Sequence, residues 1–253
     1  ESTAWRTALR LAVVLLLVSA PLQAAHGDAY ARHVEDTQPQ KFAAMEGHYE
    51  TGQADLHLIA VPKEPEALTD PRAENLYTVS VPGVASFLAS GGDFDAEVTG
   101  LNAYEENPPV ALVFWSFRLM VGLGFLFIGL ALWGGRLVYS GRVAESDRFL
   151  KSMMVSTPLG FTALLTGWYV TEIGRQPWVI QDVLKTSDAV SSTLSPVEAT
   201  ATLVAFVVIY LGLVSASLYV LKRLIEDELQ HIPGREAPGG TERGSIPGVA
   251  DDD

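Results

Sequence analysis

Seven side chains carry chemistry that their surroundings do not readily explain. Glu172 and Arg175 close an uncharged run that begins at Ser152. A carboxylate at the edge of a lipid-buried helix is costly and usually functional. Trp168 is one turn before Glu172, so the two share a helix face. Pro177 is expected to stop that helix, because proline lacks the N–H and clashes with the preceding turn. An interfacial belt, with aromatics and charges at headgroup level, is the competing reading of the same stretch. Arg118 lies inside another apolar run, where an unpaired charge costs about 2.5 kcal/mol or more, so it requires an anionic partner. Met120 follows two positions on, either as core filler or as a soft thioether ligand. Lys41 and Glu46 are five apart, about 140° around a helix, and are not an obvious ion pair. Their plain reading is a solvated amphipathic helix.

Four apolar segments must position these groups: roughly 8–25, 110–132, 152–171 and 199–221. Each is long enough, or nearly so, to cross a hydrocarbon core of about 30 Å. The 253 residues are 48% hydrophobic and contain no cysteine, which excludes a disulfide framework and a thiolate metal site. The formal charge is −13, and the stretch between Gly27 and Pro109 holds fifteen acids and four bases. That balance excludes nucleic acid as a partner. The bases Arg6, Arg10, Arg136, Arg142, Arg148, Lys151, Lys222 and Arg223 fall at one set of helix ends. By the positive-inside rule both termini face the cytoplasm, and the 26–109 and 172–196 loops face outward. The first segment, with two arginines before its apolar run, also has the form of a signal peptide. It is read here as a transmembrane helix.

Within the long loop, residues 37–51 predict a short helix with Pro39 in its first turn and Phe42, Met45 and Tyr49 as its apolar stripe. Leu56–Val61 and Leu76–Val81 are either strands or extended loop. The five histidines are His26, His33, His48, His57 and His231. None falls in the middle of an apolar segment, and they are expected to be mostly solvated.

Three motifs, in order, resemble subunit I of the cytochrome bd quinol oxidases. They are Lys41-Phe-Ala-Ala-Met-Glu46, Phe114-Trp-Ser-Phe-Arg-Leu-Met-Val-Gly122 and Gly167-Trp-Tyr-Val-Thr-Glu-Ile-Gly-Arg-Gln-Pro-Trp178. The resemblance runs from about Trp5 to Arg223 and is to the C-terminal half of that subunit, with the short type of quinol loop. It implies an all-α integral membrane protein with four transmembrane helices, part of a larger helical bundle, and a long extracytoplasmic loop. The expected divisions are a first helix at 1–25, a quinol-binding loop at 26–109, three helices at 110–225 and a disordered acidic cytoplasmic tail at 226–253.

The same resemblance implies roles. Lys41 and Glu46 would act in quinol oxidation. Met120 would ligate a low-spin haem b, with Arg118 beside it and a haem propionate as a suitable partner for its charge. Glu172 would be near, or ligate, a high-spin haem b. Trp168 would lie on the electron path, and Arg175 would pair with a propionate. The oxygen site would hold haem d or a second haem b. The substrates would be membrane quinol and dioxygen, and the partners the N-terminal half of subunit I, subunit II and the bilayer of a prokaryotic cell membrane. The chain starts at Glu1 rather than Met and has no mid-helix histidine, so it is expected to be part of a subunit that shares its haem ligands with the other half. The rival readings are a non-catalytic membrane fragment that binds no haem alone, and a transporter with an acidic outer domain.

Overall fold

The computed structural model describes residues 2–63, 74–191 and 193–230. Four long helices dominate: α1 (Ser2–Thr37), α4 (Val110–Tyr139), α5 (Asp147–Ile173) and α6 (Pro196–Gln230). Between α1 and α4 the chain forms α2 (Pro39–Glu46), β1 (Gly52–Gln53), β2 (Leu56–Pro62), β3 (Asn75–Val81), α3 (Val84–Ser90) and β4 (Glu97–Val98). β5 (Trp178–Ile180) and β6 (Leu184–Lys185) form a hairpin after α5. Both apolar pieces of the long loop are strands, and they pair antiparallel as β2–β3.

α1, α4 and α6 are long and apolar enough to cross a membrane. α5 has 27 residues, about 40 Å of helix, but is the more polar, with Ser, Thr, Gly and Pro spread along it. α1 runs to Thr37, so helix gives way to loop about three turns beyond the expected boundary at residue 25. Nothing between 26 and 36 breaks it: no proline, one glycine, and an Asp28–Arg32 pair at i, i+4. α5 ends at Ile173, before Pro177, with Gly174 as its C-cap. α6 continues to Gln230, so residues 226–230 of the expected 226–253 tail are helical, and the rest of that tail, His231 included, lies outside the described residues.

The chain divides into two units, residues 1–190 and 191–253, and α6 belongs to the second. Its start is a capping box. Glu198 Oε2 accepts from the Ser195 backbone N–H at 3.0 Å, and Ser195 Oγ accepts from the Glu198 N–H at 3.3 Å.

In the first unit two apolar clusters hold α1, α4 and α5 together at opposite ends. The loop end joins Val34 of α1, Phe42 and Met45 of α2, Val110 and Val113 of α4, and Val170 of α5. The other end joins Val13, Val143 and Phe149. There Gly134 lets three elements meet. A Cβ on it would fall 2.7 Å from Phe149 Cζ and 2.9 Å from Val13 Cγ1. Gly134→Leu is therefore expected to lower stability by about 1–3 kcal/mol, the usual cost of overpacking. The check is thermal melting of the detergent-solubilised complex, and an unchanged midpoint would contradict this packing.

Candidate functional site

The site begins with α2. Pro39 starts it without wasting a donor, and Gly47 ends it in the left-handed region at φ 64°. The His48 N–H then closes on the Ala43 carbonyl at 2.9 Å. Ala43 and Ala44 are fully buried, and such small side chains bring the α2 backbone close to α1 and α4. Seven of its eight residues are buried, Lys41 and Glu46 among them. The expectation of a solvated amphipathic helix is thus overturned: both charged residues lie under the loop, covered by the ends of α4 and α5.

Glu46 finds its partner on α4. Its Oε2 accepts from the Arg118 guanidinium at 2.6 Å, with both side chains largely buried. Arg118 also donates through Nε to the His57 carbonyl on β2 and lies over the rings of Phe114 and Phe117. Arg118 thus finds the anion it requires in Glu46, from outside its own helix. Burial pushes the Glu46 carboxyl above its ordinary range, while the charge and hydrogen bond of Arg118 pull it back.

Lys41 turns the other way, as the five-residue spacing requires. Its Cγ lies 3.1 Å from where a Cβ on Gly174 would stand, so its stem runs against the end of α5. Burial, then Arg175, lowers its ammonium pKa, and Glu172 opposes this. Glu172 and Arg175 pair at 2.7 Å and are partly exposed. Arg175 thus meets Glu172, while its Nε is buried without a hydrogen-bond partner. Trp168, one turn earlier, is exposed. Met120 faces α5, with its Sδ 2.9 Å from the Cβ position of Gly167. Gly167 and Gly174 are seven apart on one face of α5, and they admit Met120 and Lys41. Sequence reasoning passed over both; the small-residue spacing was the available signal.

All seven predicted residues are therefore placed where α2 meets the loop-side parts of α4 and α5. Of the four described histidines, His26 and His33 are exposed as expected, whereas His57 is half-buried and His48 is only 7% exposed. His26 and His33 lie on the last turns of α1, with the Tyr30 ring between them and tilted to both. Among the described residues no group of three or more His, Cys, Asp or Glu is placed to hold a metal ion.

The family pattern of the cytochrome bd terminal oxidase subunit I matches residues 1–229. The chain belongs to that family. It is 28% identical over 250 residues to the cytochrome bd ubiquinol oxidase subunit 1 of Bacillus subtilis (strain 168), covering 94% of this chain and 52% of that protein. It is 35% identical over 195 residues to a putative cytochrome bd menaquinol oxidase subunit I of the same organism, covering 74% and 42%. The cytochrome bd-II ubiquinol oxidase subunit 1 of Escherichia coli (strain K12) is 28% identical over 259 residues, covering 78% and 50%. A solved structure of the bd oxidase from Geobacillus thermodenitrificans superposes with a TM-score of 0.70 at 30% identity, covering 88% of this chain and 50% of that one. The chain spans about half the length of these relatives.

A cytochrome bd family member implies haem, and these residues fit it in part. Arg175 Nε is an orphaned buried donor suited to a propionate. Gly124, one turn from Met120, has nothing within 4 Å of its Cβ position. Met120 would hold the low-spin iron and Glu172 would approach the high-spin one. Further ligands must come from elsewhere.

Proposed function

We propose that this chain forms the quinol-oxidising, haem-carrying half of subunit I in a terminal oxidase that passes electrons from quinol to dioxygen and contributes to proton motive force. The observation that carries the reading is the convergence of Lys41, the Glu46–Arg118 pair and the Glu172–Arg175 pair at one end of α4 and α5. A quinol gives up two protons with its two electrons, and this end supplies a buried acceptor and a cation beside it. Lys41 orients and stabilises the developing oxyanion. Glu46 takes the proton, and Arg118 holds its carboxylate in place. Haem, when bound, supplies the electron acceptor and the site of oxygen reduction: a low-spin haem b at Met120, a high-spin haem b near Glu172, and haem d or a second haem b. Trp168 lines the path between them.

Four spans are proposed, with α5 as the third crossing. Charge spacing supports this. Seventeen uncharged residues separate Arg118 from Arg136 and twenty separate Lys151 from Glu172, roughly 25 and 30 Å of helix. Both approach the thickness of a hydrocarbon core. The ion pairs then lie at the outer boundary, Met120 just inside it, and the termini and the Arg136–Lys151 turn in the cytoplasm. Subunit II, the N-terminal half of subunit I and the bilayer of a prokaryotic cell membrane complete the assembly.

The test is quinol-driven oxygen uptake by membranes containing the complete oxidase. Lys41→Met is expected to lower kcat/KM by roughly tenfold or more, the worth of one hydrogen bond to a charged group. The reduced-minus-oxidised haem bands should stay unchanged. Loss of the haem bands in this variant would contradict a substrate-site role. A complete assembly with no haem bands at all would favour the non-catalytic fragment.

A further inference from the structure

α4 and α5 leave a groove of about 520 Å³ between them, toward the Arg136–Lys151 turn. Its α4 wall is Leu126, Leu130 and Trp133, spaced i, i+4, i+7, and its α5 wall is Lys151, Val155 and Leu159, spaced i, i+4, i+8. Ser152 and Ser156 also line it. Their hydroxyls donate to the Arg148 and Met153 carbonyls at 2.9 and 3.0 Å, so both donors are spent within α5. The groove stays open because serine stands where a leucine would fill it. Trp133 is a fixed wall: its ring meets the fully buried Phe149 edge-on, with centroids 5.4 Å apart.

One end of this apolar groove is cationic. Lys151 is exposed and forms no ion pair among the described residues, not even with Asp147 one turn before it. Residues 136–151 hold four bases and two acids in a chain whose net charge is −13, so this end attracts anions that the acidic remainder repels. From Lys151 the groove runs to Leu159, eight residues or about 12 Å toward the middle of α5. A cation above an apolar channel between two crossing helices suits a lipid phosphate with its acyl chain below. The groove is also apart from the proposed haem side. On α5, Trp168 and Glu172 point about 140° and 100° away from Val155.

We propose that this groove binds one anionic phospholipid, with its phosphate on Lys151 and an acyl chain between Leu130 and Val155. The proposal rests on α5 as the third crossing and is independent of the quinol chemistry.

The test uses the complete oxidase and a phosphatidylglycerol that carries a photoactivatable diazirine in its acyl chain. Irradiation is expected to label the peptides holding 126–133 and 152–159, and the phosphatidylcholine analogue should label them several-fold less. Lys151→Gln should raise the lipid concentration for half-labelling by about fivefold, the worth of one basic side chain near an anionic headgroup. Lys222→Gln, the same charge change on α6, should leave it unchanged. Ser152→Leu, which fills the groove from a partly exposed position, should abolish the labelling with haem bands retained. Equal labelling by both lipids, or no effect of Lys151→Gln, would overturn the proposal in favour of ordinary bilayer contact. No labelling of these peptides would overturn it too, with the N-terminal half of subunit I or subunit II as the cover. Reaction of Ser140→Cys with an impermeant maleimide from the outer side would instead overturn the placement of α5, since it would put the Arg136–Lys151 turn outside.

Discussion

Arg118→Leu is expected to destabilise the oxidase by roughly 3–5 kcal/mol, because it leaves the Glu46 carboxylate buried and unpaired. The same range applies to Glu46→Leu, which strands the guanidinium. The double variant Glu46→Leu/Arg118→Leu should regain most of this loss, since two apolar side chains of similar volume replace the pair. Activity should follow a different order. Without Arg118 the effect of burial on the Glu46 carboxyl is unopposed, which shifts it toward the protonated form that cannot accept a proton from quinol. Quinol oxidation is expected to fall by roughly 100-fold in either single variant and to stay low in the double variant. Thermal melting and quinol-driven oxygen uptake, measured on the same four proteins, separate the two effects. Additive stability losses in the double variant would mean that the 2.6 Å contact carries no coupling.

Met120→Leu and Glu172→Gln are expected to remove different haems. Leucine keeps the volume of Met120 against Gly167 but has no lone pair for iron. The low-spin haem band should fall by roughly tenfold or more, since even outer-shell changes at metal sites cost that much. The high-spin bands should be nearly intact. Glu172→Gln should do the reverse, because the amide neither ligates as a carboxylate does nor holds Arg175 at 2.7 Å as an ion pair. Gly167 and Glu172 are five residues apart, about 7.5 Å along α5, so the two sites are neighbours with separate ligands. The reduced-minus-oxidised spectrum of each variant is the measurement. Equal loss of all bands in both would show that the assignments of Met120 and Glu172 are wrong. Glu46 variants differ from Lys41 variants here. Glu46 holds Arg118, two residues from Met120, so its loss should also move the low-spin haem potential, while Lys41→Met should not.

Much of this architecture was legible in the residue order. The apolar runs located the long helices, and alternating short apolar pieces matched β2 and β3. Pro39 marked the first turn of α2. Three ordered motifs were enough to indicate the family, because three local matches in the same order are far more specific than one. The limits of each helix were less legible. α1 runs past 25 because nothing there interrupts it, and α5 stops at a glycine cap rather than at Pro177.

The pairings themselves were not legible. Periodicity placed Lys41 and Glu46 on different faces of α2 but could not say what covered those faces. The fold covers one with Gly174 of α5 and the other with Arg118, seventy-two residues from Glu46. It also turns His48 and His57 inward onto the same end of α2. Local composition sets helix and strand through contacts within a few residues. A buried ion pair depends on how a long loop closes over the helix ends, and that closure is decided by the packing of α2 against α1, α4 and α5.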